Sequence, residues 1–211
     1  IFLQNTLTLP QRNTIMDIEA LTQEAIGLLE RMVSLPSVSR EEKEVADLLE
    51  NFMKERGKTP CRTGHNLWCI SPFYRTGRPT LLLNAHIDTV KPAASWTRDP
   101  FRPTREGERI YGLGTNDDGA SVVALWQAFC TLSGKEQPYN LIFLASCEEE
   151  VSGKNGIESV LPLLPHIDLA LVGEPTGMQP AIAEKGLMVL DVTAHGKSGH
   201  AARNEGENAI Y

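Results

Sequence analysis

The 211 residues carry 20 basic and 27 acidic side chains, a formal charge of −7, with 41% hydrophobic and 22% charged residues. This globular composition excludes disorder, collagen and coiled coil, and at about 150 residues per domain it allows one to two domains. The acidic balance argues against nucleic acid or an anionic membrane surface as partner, and no apolar run approaches the roughly 18 residues of a membrane span. Residues 1–15 lack a basic n-region, and Gln4, Asn5 and Thr6 break any h-region, so they read as a disordered leader or extension ahead of Met16 rather than a secretory signal. Ile18, Leu21, Ala25, Leu28, Leu29, Met32 and Val33 recur at helical spacing and predict an amphipathic helix over 17–34, stopped by Pro36. Ser39-Arg40-Glu41-Glu42 has the form of a capping box, followed by Val45, Leu48, Leu49, Phe52 and Met53 on one helical face and closed by Gly57. A strand is expected over 66–70. The apolar runs at 80–85, 141–146 and 168–172 read as buried strands, with helices over 121–132 and 158–164. Strands alternating with helices predict an α/β fold with a largely parallel sheet. After Pro180 the pattern changes. Residues 187–194 alternate as a strand that opens a second domain, and 207–210 look like a helix start, so the chain reads as truncated there. The domains are expected at 16–183 and 184–211. Cys61, Cys69, Cys130 and Cys147 form no CxxC pair, so the thiols read as reduced and the protein as cytoplasmic.

The informative fact is where histidine and acidic residues fall. His86 and Asp88 follow one apolar run, Glu148, Glu149 and Glu150 a second, and Glu174 a third. Ligand sites in open α/β sheets lie at the carboxyl ends of strands. Residues two apart point the same way in a strand, so Asp88 can reach the second ring nitrogen of His86 and fix its tautomer. Alone, His-x-Asp is a weak signal, and a surface pair is the more frequent explanation. Three consecutive glutamates are usually a solvated run, but a carboxylate cluster directly after an apolar strand is costly without a cation. The loop Gly112-Leu113-Gly114-Thr115-Asn116-Asp117-Asp118-Gly119 lacks P-loop spacing, and its acids suit a cation better than a phosphate. Pro175 restricts Glu174 to an extended conformation. His200, in Gly196-Lys197-Ser198-Gly199-His200, would stand exposed between glycines, although a lone histidine after a strand is more often structural. Cys147 borders the glutamates without the His/Asn pattern of a nucleophilic thiol.

Five stretches carry a resemblance. They are Leu83-Asn84-Ala85-His86-Ile87-Asp88-Thr89-Val90, Tyr111-Gly112-Leu113-Gly114-Thr115-Asn116-Asp117-Asp118, Glu148-Glu149-Glu150, Val172-Gly173-Glu174-Pro175-Thr176 and Gly196-Lys197-Ser198-Gly199-His200-Ala201. In this order they resemble the M20 metallopeptidase family, which includes acetylornithine deacetylase, succinyl-diaminopimelate desuccinylase, carboxypeptidase G2 and aminoacylases. The resemblance implies a zinc-peptidase catalytic α/β domain with a largely parallel sheet and an inserted α/β lid that serves dimerisation. It implies two zinc ions, with cobalt as a substitute. His86 and Glu174 would bind the first ion, Asp117 would bridge both, and Glu150 would bind the second. Asp88 would orient His86, Glu149 would act as general base, and His200 from the lid would stabilise the oxyanion, in dimeric members across the subunit boundary. Glu148 stands where the family commonly has aspartate, and Gly119 where it commonly has lysine. The family's last metal ligand, a histidine, lies beyond Tyr211.

The activity so implied is hydrolysis of a linear amide: a metal-dependent deacylase acting on an N-acyl amino acid. The acetylornithine deacetylase branch of arginine biosynthesis is favoured by Gly112-Leu113-Gly114-Thr115 and Glu149-Glu150-Val151-Ser152. A desuccinylase, or a dipeptidase or carboxypeptidase, is the alternative within the family, and an inactive metal-binding fragment the alternative outside enzymes. Glu149 separates the two, because a non-catalytic relative has no use for a carboxylate beside the metal ligand. The implied partners are a small N-acyl amino acid or peptide and a second subunit bound through the lid, with no nucleic acid and no membrane.

Overall fold

A computed structural model describes residues 17–183, 185, 186, 188, 190, 192–200, 202, 203 and 205–210. The expected leader lies outside these residues. The chain divides into two compact units, Ile1–Pro175 and Thr176–Tyr211. Among the described residues no helix is long and apolar enough to cross a membrane.

In the larger unit, helix α1 (Ile18–Val33) starts where the Asp17 side chain accepts from the Ala20 N–H, and it buries Leu28, Leu29, Met32 and Val33. Helix α2 (Lys43–Glu55) buries Val45, Ala46, Leu49, Phe52 and Met53. Its end is closed as expected, with Gly57 at a left-handed φ of 70°. Its start is not. No side chain caps α2, because the Ser39 hydroxyl donates to Asp88 instead and the Glu42 carboxylate turns inward, fully buried. The expected capping box is therefore absent.

Five strands, β1 (Cys61–Thr63), β2 (Asn66–Ile70), β3 (Thr80–His86), β6 (Asn140–Ser146) and β7 (Leu169–Val172), form one sheet in the order β1-β2-β6-β3-β7. The intervening β4 (Thr104–Glu106) and β5 (Arg109–Tyr111) make a separate hairpin. β6, β3 and β7 are parallel, and β2 and β1 are antiparallel at one edge. The sheet is thus parallel through the three apolar runs read from the sequence. Every residue of β6 is buried, which is why it lacks alternation. Its Leu141, Phe143 and Ala145 share a core with Leu83, Ala85, α1, α2 and Trp126 and Phe129 of helix α3 (Ala120–Leu132). Ile142 and Leu144 face the other way, onto Leu82, Trp68 and Val160 of the short helix α4 (Ile157–Val160). A single turn of 3-10 helix, Leu161–Leu163, extends α4.

β7 departs from its expected burial. It pairs with β3 alone at the sheet edge, and Leu169, Leu171 and Val172 remain 66%, 53% and 55% exposed. Its apolar run is that of a buried strand, yet nothing among the described residues covers it. In the smaller unit, the strand expected over 187–194 is not formed at its described residues, and Leu187, Val189 and Asp191 lie outside them. The helix start expected at 207–210 is also absent; Glu207 instead bridges Lys197.

Candidate metal centre

Parallel pairing fixes where the chemistry falls. Ser146 at the end of β6 lies beside His86 at the end of β3, and Val172 at the end of β7 lies beside Asn84. The residues after each strand, Asp88, Glu148 to Glu150 and Glu174, therefore emerge at one edge of the sheet. The chain from β6 passes β3 to reach β7, so strand order reverses at β3, where a crevice is expected. Gly173 lets the β7 end approach α3, since a Cβ there would collide with Ser121.

The fourth contribution comes from the turn Thr115–Gly119 ahead of α3. This is a π-type turn kinked at Asp117 and Asp118, with a cis peptide between them. A Cβ on Gly119 would meet the Gly114 carbonyl at 2.6 Å and Leu29 Cδ1 at 2.7 Å. A side chain at this position would therefore force the loop to shift. Gly119→Ala should lower stability by about 1–3 kcal/mol, the usual range for overpacking. Denaturant unfolding checks this, and an unchanged midpoint would show that the loop yields freely.

His86 is 2% exposed. Its Nε2 lies 3.0 Å from Asp117 Oδ1 and 3.9 Å from Glu149 Oε2. Its Nδ1 lies 3.0 Å from the Asp88 carbonyl oxygen and 3.4 Å from Asp88 Oδ1. The His-x-Asp spacing thus brings the Asp88 carboxylate near Nδ1, but the hydrogen bond at that nitrogen is to the Asp88 backbone carbonyl. Asp88 is fully buried. It accepts from the Ser39 hydroxyl at 2.7 Å, the Glu149 N–H at 3.0 Å and the Glu150 N–H at 3.1 Å. One carboxylate therefore sets both the imidazole and the acidic turn.

Two overlapping sets bring their ligand atoms within 4.8 Å of one another: His86, Asp117 and Glu150, and His86, Glu149 and Glu174. Each expected metal ligand, and the expected base, belongs to one of them. The electrostatics fit a cation. Burial disfavours a charge on His86, but Asp88, Asp118 and Glu149 outweigh it and raise its pKa to about 10. Burial lifts Asp118 to about 7. Burial, then the charge of Asp117, raises Glu150. Asp118 is 1% exposed, and its Oδ1 has no hydrogen-bond partner. One imidazolium thus faces more carboxylates than it can neutralise. A nitrogen-and-oxygen donor set of this kind suits a borderline or hard divalent cation.

The metal-free site therefore holds a proton that a metal must displace. A raised His86 pKa stabilises the metal-free fold fully below pH 6.5, and this contribution is lost as pH rises towards about 10. Metal affinity should rise over the same range. Calorimetry in buffers of different ionisation enthalpy should show proton release on metal uptake near pH 7; uptake without it would contradict this charge state.

With this geometry established, comparison with known proteins is decisive. The profile of Peptidase family M20/M25/M40 matches residues 82–203, more than half of the chain. The chain belongs to this family. It is 30% identical over 200 residues to an acetylornithine deacetylase of Proteus mirabilis and 33% identical over 198 residues to a succinyl-diaminopimelate desuccinylase of Corynebacterium glutamicum. Each match covers 88% of this chain and 51% of the relative, so the chain spans about half the length of these curated relatives. An M20 metallo-carboxypeptidase from Sulfolobus solfataricus superposes with a TM-score of 0.57 at 26% identity, over 71% of this chain and 37% of that one. A dinuclear metal-binding M20 peptidase of Bacillus subtilis shares the fold, with a TM-score of 0.57 at 18% identity, over 73% of this chain and 43% of that one.

His200 lies in the smaller unit. It is exposed, and its Nδ1 accepts from the Ala202 N–H at 3.2 Å. Cys147 is buried, and burial, with Glu42 and Glu148 nearby, pushes its thiol up to about 12, away from the thiolate. Sequence reasoning missed the parts played by Ser39, Glu42 and Asp118. Ser39 and Glu42 carried the signal of a helix cap, which masked their inward contacts. Asp118 was visible only as the neighbour of Asp117.

Proposed function

We propose that the protein is a metal-dependent amidohydrolase that removes the acyl group from an N-acyl amino acid. The observation that carries this reading is the convergence of His86, Asp117, Glu149, Glu150 and Glu174 from three strand ends and one loop. His86 and Glu174 would hold a first ion, Glu150 a second, and Asp117 would lie between them; Asp117 grouping with both His86 and Glu150 supports a bridging role. A pair of divalent cations, zinc or cobalt, supplies Lewis acidity at the amide carbonyl and makes water a better nucleophile at neutral pH.

The protein's own residues do the rest. Asp88 holds His86 through Nδ1 and leaves Nε2 facing Asp117 and Glu149. Glu149 takes a proton from the attacking water as its oxygen adds to the acyl carbon. It then delivers that proton to the amine as the C–N bond breaks, giving a carboxylate and a free amino acid. His200 of the smaller unit stabilises the oxyanion, and dimerisation through that unit belongs to the same reading; both rest on the family resemblance. A cleft of about 480 Å³ is lined by Val38, Val90 and Val151 with two cations, Arg40 and Lys91, and two acids, Glu41 and Glu150. Its apolar walls suit an acyl chain.

We favour the acetylornithine deacetylase type, with the desuccinylase and the dipeptidase or carboxypeptidase types as the second reading, since relatives of the first two kinds match about equally. A cytoplasmic location accords with four free thiols. The test is to strip the full-length protein with chelator, reload it with zinc or cobalt, and assay N-acetyl, N-succinyl and dipeptide substrates. Preference for N-succinyl or dipeptide substrates would overturn the substrate, and the absence of metal-dependent hydrolysis would overturn the reading.

A further inference from the structure

The turn that carries Glu149 and Glu150 belongs to no long element; Glu149–Val151 forms one turn of 3-10 helix. It is entered through Glu148 in a left-handed conformation, φ 55°. Four consecutive N–H groups hold it, each donating to a side chain from elsewhere in the chain. Cys147 N donates to Asn66 Oδ1 at 3.0 Å, Glu148 N to Glu42 Oε1 at 3.2 Å, Glu149 N to Asp88 Oδ1 at 3.0 Å and Glu150 N to Asp88 Oδ2 at 3.1 Å. Asn155 fixes the Glu148 carboxylate through its side-chain amide at 2.9 Å. Two buried carboxylates, Glu42 and Asp88, thus grip the backbone on either side of the point where Glu149 begins.

Glu42 is 0% exposed. A carboxylate at such depth is costly unless donors surround it. Three do: the Arg40 N–H at 2.7 Å, the Glu148 N–H, and His65 Nδ1 at 2.7 Å from Oε2. It stands at the first turn of α2 but does not cap that helix. One of its hydrogen bonds reaches instead a turn 106 residues away.

We propose that Glu42 is a positioning residue for the metal centre, one that sets the Glu148 to Glu150 turn and through it the Glu149 and Glu150 carboxylates. This deepens the metal-dependent reading above and rests on it. Removing the carboxylate frees the Glu148 N–H and lets the turn relax, so Glu150 reaches its ion less well. Glutamine keeps an oxygen for the Glu148 and Arg40 N–H groups, and its amide can donate to the other tautomer of His65.

The test uses cobalt as the probe in the full-length protein, with the visible spectrum and the dissociation constant as readouts. Glu42→Ala should weaken cobalt binding by about 10–100-fold, as loss of an outer-shell partner does, and should alter the spectrum. Glu42→Gln should restore both. Val160→Ala, a core truncation on the opposite face of the sheet, should lower stability and leave the cobalt spectrum unchanged. In the metal-free protein, hydrogen exchange at the Glu148 to Glu150 amides should accelerate by about tenfold or more in Glu42→Ala, corresponding to loss of one net hydrogen bond, and not in Val160→Ala. If Glu42→Ala does not fold, Glu42→Asp, one methylene shorter, is judged by the same criteria. Wild-type binding of cobalt with Glu42→Ala unchanged, or with Val160→Ala matching it, overturns the positioning role alone. Failure of the wild type to bind cobalt overturns the metal-centre reading and this role with it.

Discussion

Glu149→Gln is expected to lower amide hydrolysis by about 10²–10⁴-fold, the usual contribution of a general base, while metal uptake stays nearly intact. Glu149 Oε2 is 3.9 Å from His86 Nε2, with its side chain 52% exposed. It is thus close enough to the site to serve a bound water and open enough to meet one. Its backbone N–H, not its side chain, is tied to Asp88, so the carboxylate is free to exchange a proton without disturbing the turn. Glutamine keeps the shape and the backbone bond but cannot accept and return a proton. The contrast with Glu150 makes the test specific: Glu150→Gln should lower metal affinity as well as turnover. If Glu149→Gln keeps wild-type turnover, the base lies elsewhere. If it loses metal to the same extent as Glu150→Gln, Glu149 is a ligand, as its grouping with His86 and Glu174 would then mean.

The parallel strands and the strand-end acids were legible because burial on both faces leaves an unbroken apolar run that a reader can find. β3 and β6 stand where those runs predicted. The short β1 and the β4–β5 hairpin were not legible. Cys61–Thr63, Thr104–Glu106 and Arg109–Tyr111 have three residues each and no fully buried position, so they offer no run and little alternation. The exposure of β7 was also hidden, since an apolar sequence states what a strand can bury and not what covers it. At the centre, the His-x-Asp spacing discloses a local pair, while the hydrogen bonds of Ser39, which donates to Asp88, and of Glu42, which accepts from Glu148, span 49 and 106 residues. Such contacts leave no periodic trace. In the sequence they have the form of a helix cap, because Ser and Glu three apart satisfy that pattern equally well.

Asp88 and Asp117 both face His86, yet their replacement should separate stability from metal binding. Asp88→Ala removes the buried acceptor that serves His86 Nδ1, the Ser39 hydroxyl and two backbone N–H groups. Breaking a buried charge pair from one side costs about 3–5 kcal/mol, so the metal-free fold should weaken by roughly that amount. Burial opposes ionisation of Asp88, but His86, Ser39 and the turn amides overcome it and hold its pKa low. The stabilisation it provides is therefore present at neutral pH and lost only as pH falls through that lowered value. Metal affinity should fall as well, by about 10–100-fold, because the imidazole and the acidic turn lose their anchor. Asp117→Ala should show the other balance, with little change in stability and a larger loss of metal. Its side chain is 50% exposed, and among the described residues it pairs with His86 Nε2. Its loss relieves carboxylate crowding around Glu150, so stability should change by less than about 1 kcal/mol, as for an exposed ion pair. The metal loss should nevertheless exceed that of Asp88→Ala, since on the proposed reading Asp117 would serve both ions. Denaturant unfolding in chelator gives the first quantity and metal titration the second. Equal destabilisation by the two variants, or a greater metal loss for Asp88→Ala, would show that bridging and anchoring are not divided between these two carboxylates.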